Sequence, residues 1–189
     1  RLAAARDHAA ADPREAALLR LGVAAGKYWV CKRAPTLTAE AMECLGGSGY
    51  IEECVMPRLY REAPVNAIWE GSGNVIALDT LRALTRDPAT AEAALAEIAL
   101  AHGADARLDA AADRLRRELA APTESRARVI TELLALTLQA SLLARHAPAA
   151  VADAFIASRL GGDWGHTYGA LPPGVDATAI VARAWPMVG

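Results

Sequence analysis

The sequence predicts an all-α protein, and three observations lead to that fold class. Hydrophobic residues make up 53% of the chain but aromatic residues only 5%, so the apolar mass is mostly Ala, Leu and Val. Ala and Leu are strong helix formers, whereas β-rich cores favour aromatic and β-branched residues. Apolar residues recur at helical spacing over most of the chain, and Gly and Pro fall between the periodic segments.

The N-terminal part of the chain contains a clear helix start. Residues 1–11 are interpreted as the end of a helix that begins upstream, so we expect the natural protein to extend beyond Arg1. Asp12 followed by Pro13 predicts the start of the next helix, because Asp is a favoured N-cap and Pro suits the first helical position. Pro35 is expected to kink or split this helix, because proline lacks the backbone donor that a helix interior needs.

Glycine and proline mark the elements that follow. Gly46 and Gly47 predict the C-terminal end of the second helix. Residues 46–64 are interpreted as a loop rich in glycine and charge. The remaining helices are predicted over about residues 70–86, 89–102, 104–120, 123–146, 148–160 and 176–185.

Charge and hydropathy exclude several classes of protein. Residues 1–85 contain 10 Lys/Arg and 10 Asp/Glu, and residues 86–189 contain 10 and 12, so neither part is a basic module. No run of about 18 uncharged apolar residues occurs, so no membrane span is expected. The N-terminus lacks the pattern of a signal peptide, and we expect a cytoplasmic protein. Four histidines lie singly along the chain without metal-ligand spacing, so no metal site is expected. They are His8, His102, His146 and His166.

Three short segments carry the chemical signals. Their residues are Glu43–Tyr50, Pro57–Glu62 and Ile68–Asn74. Gly46, Gly47 and Gly49 allow a backbone to approach an anion such as pyrophosphate with its amide groups, although a plain helix C-cap explains the same glycines. Glu70 at a helix start is either a functional carboxylate or an acidic residue favoured by the helix dipole.

Together these segments resemble the signature of the acyl-CoA dehydrogenase family, in which a Gly-Gly-x-Gly loop precedes an aromatic-Glu-Gly segment. In this chain 20 residues separate Gly49 from Glu70, which matches the spacing expected of the family. The segments Leu59–Glu62 and Trp69–Asn74 are most similar to the alkylation-response branch, whose members carry a helical C-terminal extension. The strong part of the resemblance covers about Lys27 to Leu84.

The resemblance implies a domain organisation. Residues 1–86 would be the C-terminal four-helix-bundle portion of an acyl-CoA dehydrogenase, and residues 87–189 an additional helical extension. In the family a helical domain and a β-domain precede this bundle, and the protein is commonly a homotetramer. The chain alone is therefore expected to be inactive, because those domains complete the active site.

The resemblance also implies an oxidoreductase reaction. By position, Glu70 would be the catalytic base that removes the α-proton of an acyl-CoA thioester while hydride leaves Cβ for FAD. A carboxylate in an apolar, water-poor cleft is a more effective base, which agrees with that role. Trp69 would border the substrate cleft.

Four residues match positions that contact FAD in the family. Ser72 and Asn74 would contact the cofactor directly, and the amides of Gly46 and Gly47 would approach its diphosphate from a neighbouring subunit. Glu43 departs from the glutamine common at its position, and it is expected to turn away from the diphosphate or to pair with a cation. Arg61 is expected to be an ion-pair partner of a carboxylate.

Two alternatives come from other functional classes. The alkylation-response branch is associated with binding double-stranded DNA through the extension, with poor dehydrogenase turnover. DNA binding requires a patch of cations, and the balance of 10 cations to 12 carboxylates in the extension disfavours it. The other alternative is a structural module for oligomerisation. The one arginine cluster comprises Arg114, Arg116, Arg117, Arg126 and Arg128.

Overall fold

The computed structural model describes residues 1–162 and 167–185. All regular secondary structure within these residues is helical, which confirms the all-α prediction. Short 3₁₀ helices occupy Ala63–Ala67 and Glu124–Arg126. The α-helices are α1 (Leu2–His8), α2 (Pro13–Cys44), α3 (Gly47–Tyr50), α4 (Met56–Glu62), α5 (Gly73–Arg86), α6 (Pro88–Ala99), α7 (Ala106–Ala120), α8 (Ala127–His146), α9 (Ala149–Arg159) and α10 (Ala177–Ala184).

Helix α2 begins where the sequence predicts but is not split. The Asp12 carboxylate accepts a hydrogen bond from the amide of Arg14 at 2.8 Å, as an N-cap does. The helix then continues through Pro35 to Cys44, so Pro35 does not split it, and the alternative expectation of a kink stays a prediction. Proline inside a helix costs about 3 kcal/mol or more. Packing of α2 against α1, α4 and α5 offsets that cost.

The interpretation of residues 46–64 as a loop is also wrong, because this stretch contains α3 and α4. Gly46 has a φ of 60°, in the left-handed region, and this lets the chain turn from the end of α2 directly into α3. Pro57 lies in the first turn of α4, where its missing amide hydrogen breaks no helical hydrogen bond. The sequence analysis interpreted this proline as a loop residue rather than a helix start.

The chain forms two compact units. The first comprises residues 1–94 and 118–135, and the second comprises residues 95–117 and the described part of 136–189. The sequence analysis predicts a different kind of boundary, between a bundle portion (1–86) and an extension (87–189). The two compact units do not test it, and it stays a prediction.

In the first unit, α2 is the element against which the others pack. It contacts α1, α3, α4, α5 and the 3₁₀ helix Ala63–Ala67. Leu18 and Leu21 of α2 are 2% and 0% exposed, and Ile76 and Leu81 of α5 are each 7% exposed. Burial of such side chains supplies most of the stabilisation of a packed helix pair. Helix α2 therefore fixes the position of the start of α5.

The second unit has its own small core. Leu108, Ala140 and Ile156 are buried together with Ala101. The Ser141 hydroxyl donates to the carbonyl oxygens of Glu97 and Ile98 at 3.3 and 3.2 Å. Arg145 pairs with the buried Glu97 carboxylate.

One helical stretch in the described part of the chain, Glu124–His146, is long and apolar enough to span a membrane. In the structure 61% of its most apolar window is buried within the protein. A core helix of a globular protein has the same properties.

The close approach of α3 to α2 gives a stability prediction. A methyl group at Gly49 would lie 2.4 Å from the carbonyl oxygen of Met42 and 2.7 Å from Cβ of Leu45. Gly49→Ala should therefore lower the free energy of unfolding by about 1–3 kcal/mol, as overpacking does.

The matched control is Gly47→Ala, because no atom lies within 4 Å of a Cβ at that position. Its effect should stay within about 0.5 kcal/mol. Urea unfolding of both variants compares them, and equal destabilisation would contradict the close contact.

Candidate active site

Trp69 and Glu70 lie in a turn between the 3₁₀ helix Ala63–Ala67 and α5. The amides of Ile68 and Trp69 donate to the carbonyl of Val65 at 2.9 and 3.2 Å, which starts the turn. Glu70 has a φ of 52°, and it is the one non-glycine residue with positive φ among those the structure describes. This conformation costs a non-glycine residue about 1–2 kcal/mol. Other contacts must therefore hold the turn.

Lys27 on α2 provides these contacts. Its Nζ donates to the carbonyl oxygens of Trp69, Glu70 and Gly71 at 2.8, 3.3 and 3.0 Å. An ammonium group has three N–H donors, so the three carbonyls use all of them. In residues 1–162 and 167–185, no ion pair joins Lys27 to the Glu70 carboxylate. The lysine therefore holds the backbone of Glu70 and leaves its side chain unpaired.

Glu70 is one of the residues that line a groove of about 540 Å³ in the first unit, between α1, α2 and the start of α5. The groove has an apolar surface formed by residues such as Leu19, Val23 and Ile76. Its charged lining residues comprise four cations and two carboxylates, a net charge of 4 − 2 = +2. They are Arg6, Arg20, Lys27, Glu70, Asp79 and Arg82. Such a groove suits a ligand that combines an alkyl chain with anionic groups.

Two of these charges neutralise each other. Arg20 on α2 donates to both carboxylate oxygens of Asp79 on α5, at 2.9 and 2.8 Å. Both hydrogen bonds come from Nη2 of Arg20, and this ion pair is a second link between α2, which carries Lys27, and α5, which follows Glu70. Trp69 lies beside Glu70 with 58% of its surface exposed, and it is not among the residues that line the groove.

Ser72 and Asn74 lie at the start of α5. Ser72 is the N-cap residue, yet its exposed hydroxyl makes no capping hydrogen bond and is available to a ligand. The side-chain oxygen of Asn74 accepts a long hydrogen bond from Nε of Arg128, at 3.4 Å. Its amide nitrogen remains the group that could donate to a cofactor. The predicted FAD contacts of both residues stay predictions.

Gly46 and Gly47 lie at the other end of α2. No atom lies within 4 Å of a Cβ built at either glycine, so the backbone is open to a ligand. The amides of Gly47 and Ser48 donate to no backbone carbonyl in the described residues. Gly46 follows Lys27 by 19 residues, which corresponds to roughly 28 Å along a helix. The structure therefore does not bring this loop to Glu70.

Arg61 forms the ion pair that the sequence analysis expects. Its guanidinium donates to both carboxylate oxygens of Glu52 at 2.6 and 3.0 Å. This hydrogen bonding lowers the pKa of the Glu52 carboxyl below its ordinary value. Both side chains are exposed, so the pair contributes little to stability.

Two further expectations concern metal and DNA. No group of three potential metal ligands occurs among the described residues, and His166 lies outside them. Carboxylates partly neutralise the arginine cluster of the extension. Arg116 pairs with Asp113 at 2.6 Å, and Arg126 pairs with Glu118. DNA binding remains disfavoured as a prediction.

Lys27 is the residue that the sequence analysis missed. Its partners are carbonyl groups 42 to 44 positions away in the sequence. Every residue has a backbone carbonyl, so such a contact requires no particular residue type and gives no sequence motif. One signal was available: the chain has 20 Lys and Arg residues, of which only Lys27 and Lys32 are lysines. Both lie on α2. Lys27 binds the turn that precedes α5, and Cε of Lys32 lies 2.3 Å from a Cβ built at Gly73, the first residue of α5.

Comparison with known proteins gives the chain its relatives. Residues 1–85 match the family model described as acyl-CoA dehydrogenase, C-terminal domain. AidB of Escherichia coli (strain K12), named as a candidate acyl-CoA dehydrogenase, is 43% identical over 155 residues, or 82% of this chain and 28% of AidB. Acyl-CoA dehydrogenase family member 11 of Caenorhabditis elegans is 46% identical over 68 residues, or 36% of this chain and 11% of that protein.

A solved structure agrees with these relatives. The crystal structure of Caenorhabditis elegans ACDH-11 in complex with C11-CoA has a TM-score of 0.66 to this chain at 27% identity. The similarity covers 84% of this chain and 30% of that one. The chain thus spans less than a third of the length of these relatives.

The turn at Glu70 gives a second stability prediction. Gly71 has a φ of 107°, which L side chains rarely adopt, so Gly71→Ala should lower the free energy of unfolding by about 1–3 kcal/mol. In the matched control Gly73→Ala, the new methyl group meets Cε of Lys32 at 2.3 Å. This exposed lysine can move away at little cost. Thermal unfolding compares the variants, and a larger effect at Gly73 would contradict the assigned backbone strain.

Proposed function

Residues 1–85 of this chain belong to the acyl-CoA dehydrogenase family, and on that premise we propose that the chain carries the catalytic base of an FAD-dependent oxidoreductase. The substrate is an acyl-CoA thioester. The Glu70 carboxylate accepts the α-proton, and the electron pair of the broken Cα–H bond forms the new Cα=Cβ double bond. FAD, when bound, accepts the hydride that leaves Cβ.

One observation carries this proposal: Glu70 lines the groove with its backbone held by Lys27, and its carboxylate has no ion-pair partner among the described residues. A general base must have a free lone pair directed at the proton it removes. A carboxylate bound by a lysine or arginine would be occupied. Lys27 avoids this by binding the carbonyl groups of the turn.

The chemistry of the groove supports a thioester ligand. Apolar side chains of α2 and α5 suit the acyl chain, and Arg6 and Arg82 offer guanidinium groups to phosphates. The ACDH-11 structure contains C11-CoA, which is an acyl-CoA of the proposed class.

The residues of this chain are compatible with FAD. The Ser72 hydroxyl and the Asn74 amide lie beside Glu70 in sequence, and the open amides of Gly47 and Ser48 suit a diphosphate. The length of α2 separates these two groups. We therefore propose that the glycine loop serves the cofactor of a neighbouring subunit in a homo-oligomer, a tetramer in the full-length protein.

Glu70 is exposed in this chain, whereas proton abstraction from carbon benefits from a water-poor site. In our proposal, other parts of the full-length protein cover the groove. The activity then belongs to the full-length protein, in the cytoplasm, and the chain alone is inactive.

The full-length protein loaded with FAD tests the role of Glu70. Glu70→Gln keeps the size of the side chain but cannot accept the α-proton. The rate of flavin reduction by an acyl-CoA should fall by about 10²–10⁴-fold, the usual contribution of a general base. Stopped-flow bleaching of the flavin absorbance measures this rate.

The matched control is Glu92→Gln, the same change at an exposed position of α6 outside the groove. It should reduce flavin at the wild-type rate, and both variants should keep their FAD content and melting temperature. An unchanged rate in Glu70→Gln would remove Glu70 from the mechanism.

A further inference from the structure

We propose that Lys27 is a positioning residue for Glu70, because its ammonium group fixes the Trp69–Gly71 turn and so directs the Glu70 carboxylate into the groove. This inference rests on the proposed role of Glu70 as the base. Lys27 also lines the groove, but the turn uses its three donors, so in this account it binds neither substrate nor cofactor. It acts through the backbone.

The geometry of the turn requires such a contact. Trp69, Glu70 and Gly71 direct three consecutive carbonyl oxygens at one nitrogen. Two of these residues have positive φ, and that conformation is costly at Glu70. Three carbonyl oxygens that converge on one point also repel one another unless a cation lies between them. Removal of the ammonium group therefore leaves the turn without the interaction that offsets its strain.

Lys27 itself is held in place. It lies on α2 between Ala24, which is 8% exposed, and Tyr28, which is 6% exposed. A lysine anchored on a rigid, packed helix transmits that rigidity to the groups it binds. The Arg20–Asp79 pair ties the same helix to α5 on the far side of the turn. The start of α5 and the turn are thus fixed independently.

An ammonium group is better suited than a guanidinium to this position. Lysine offers three donors from one point, whereas arginine presents a planar fork that matches a carboxylate. An arginine at position 27 could not reach the three carbonyls from one atom, and its fork would favour the Glu70 carboxylate. That pairing would occupy the base.

A competing explanation is that Lys27 merely attracts an anionic substrate into the groove. Loss of such uniform binding weakens substrate affinity and leaves the limiting rate of the chemical step unchanged. Loss of positioning instead lowers the limiting rate and changes substrate affinity little, because a displacement of about 1 Å at the reacting groups can cost about 10²-fold in rate. Limiting rate and affinity therefore separate the two roles.

The experiment uses the full-length protein loaded with FAD and the Lys27→Ala variant. Stopped-flow flavin reduction over a range of acyl-CoA concentrations gives the limiting rate and the apparent dissociation constant. We expect the limiting rate to fall by about 10–100-fold, with a smaller change in affinity. n-Propylammonium ions should restore part of the rate, and tetramethylammonium ions should not, because they lack N–H donors.

The matched control is Lys32→Ala, which removes the same charge from the same helix. Lys32 makes no hydrogen bond to the turn in the described residues. Its variant should keep the limiting rate and should not respond to n-propylammonium. The Lys27→Arg variant should not reach the wild-type limiting rate of flavin reduction.

A second measurement does not depend on turnover. Hydrogen–deuterium exchange of the peptide that spans residues 66–76 should be faster in Lys27→Ala than in wild type, and n-propylammonium should slow it again. Exchange in Lys32→Ala should match wild type.

The outcomes separate this inference from the proposed function. If Glu70→Gln loses flavin reduction while Lys27→Ala keeps its limiting rate, Glu70 remains the base and the positioning role is wrong. If no acyl-CoA reduces the wild-type flavin, the proposed function fails. The hydrogen–deuterium exchange of residues 66–76 then tests alone whether Lys27 holds the turn. Unchanged exchange in Lys27→Ala would overturn the backbone contact in either case.

Discussion

One ammonium group shared by three carbonyl oxygens joins α2, the longest of the described helices, to the turn that carries the candidate base. Lys27 is fixed by the packing of α2, and the turn is fixed by Lys27. The order matters, because the left-handed backbone at Glu70 is unfavourable by itself. The interaction also uses every donor of the lysine on the backbone. The carboxylate is consequently placed without being bound.

The length of α2 separates two candidate sites, the groove beside Lys27 and the glycine turn at Gly46 and Gly47, which a shorter helix would bring close together. Helix α2 packs with α1 and α5, and its N-terminal half carries Lys27 at the groove. Its C-terminal end presents the glycine turn, where the left-handed Gly46 and the open surface around Gly47 leave backbone amides accessible. Continuity through Pro35 therefore has a consequence for the site. It fixes the distance between the two groups that we propose contact FAD.

The sequence predicted the elements whose signals are local. The Asp12 cap, the start of α5 and the glycine turn all depend on neighbouring residues, and each lies where it was expected. Short helices α3 and α4 were missed because seven residues or fewer carry too little periodicity to identify. The contact of Lys27 could not be predicted, because a lysine that binds backbone carbonyls needs no particular partner residue. The motif resemblance pointed to Glu70 as the candidate base, but it gave no sign of the lysine that holds the backbone of Glu70.

The most direct measurement is the distance between the Glu70 carboxylate and the substrate's α-carbon. It requires a crystal structure of the full-length protein with FAD and an acyl-CoA analogue that cannot be oxidised. Our account predicts that the acyl chain lies in the groove beside α2 and α5, with a carboxylate oxygen about 3–3.5 Å from the α-carbon, a reactive separation. It also predicts that Lys27 still binds the three carbonyls. An analogue bound elsewhere, or a Glu70 side chain paired with a cation and turned from the thioester, would contradict the account.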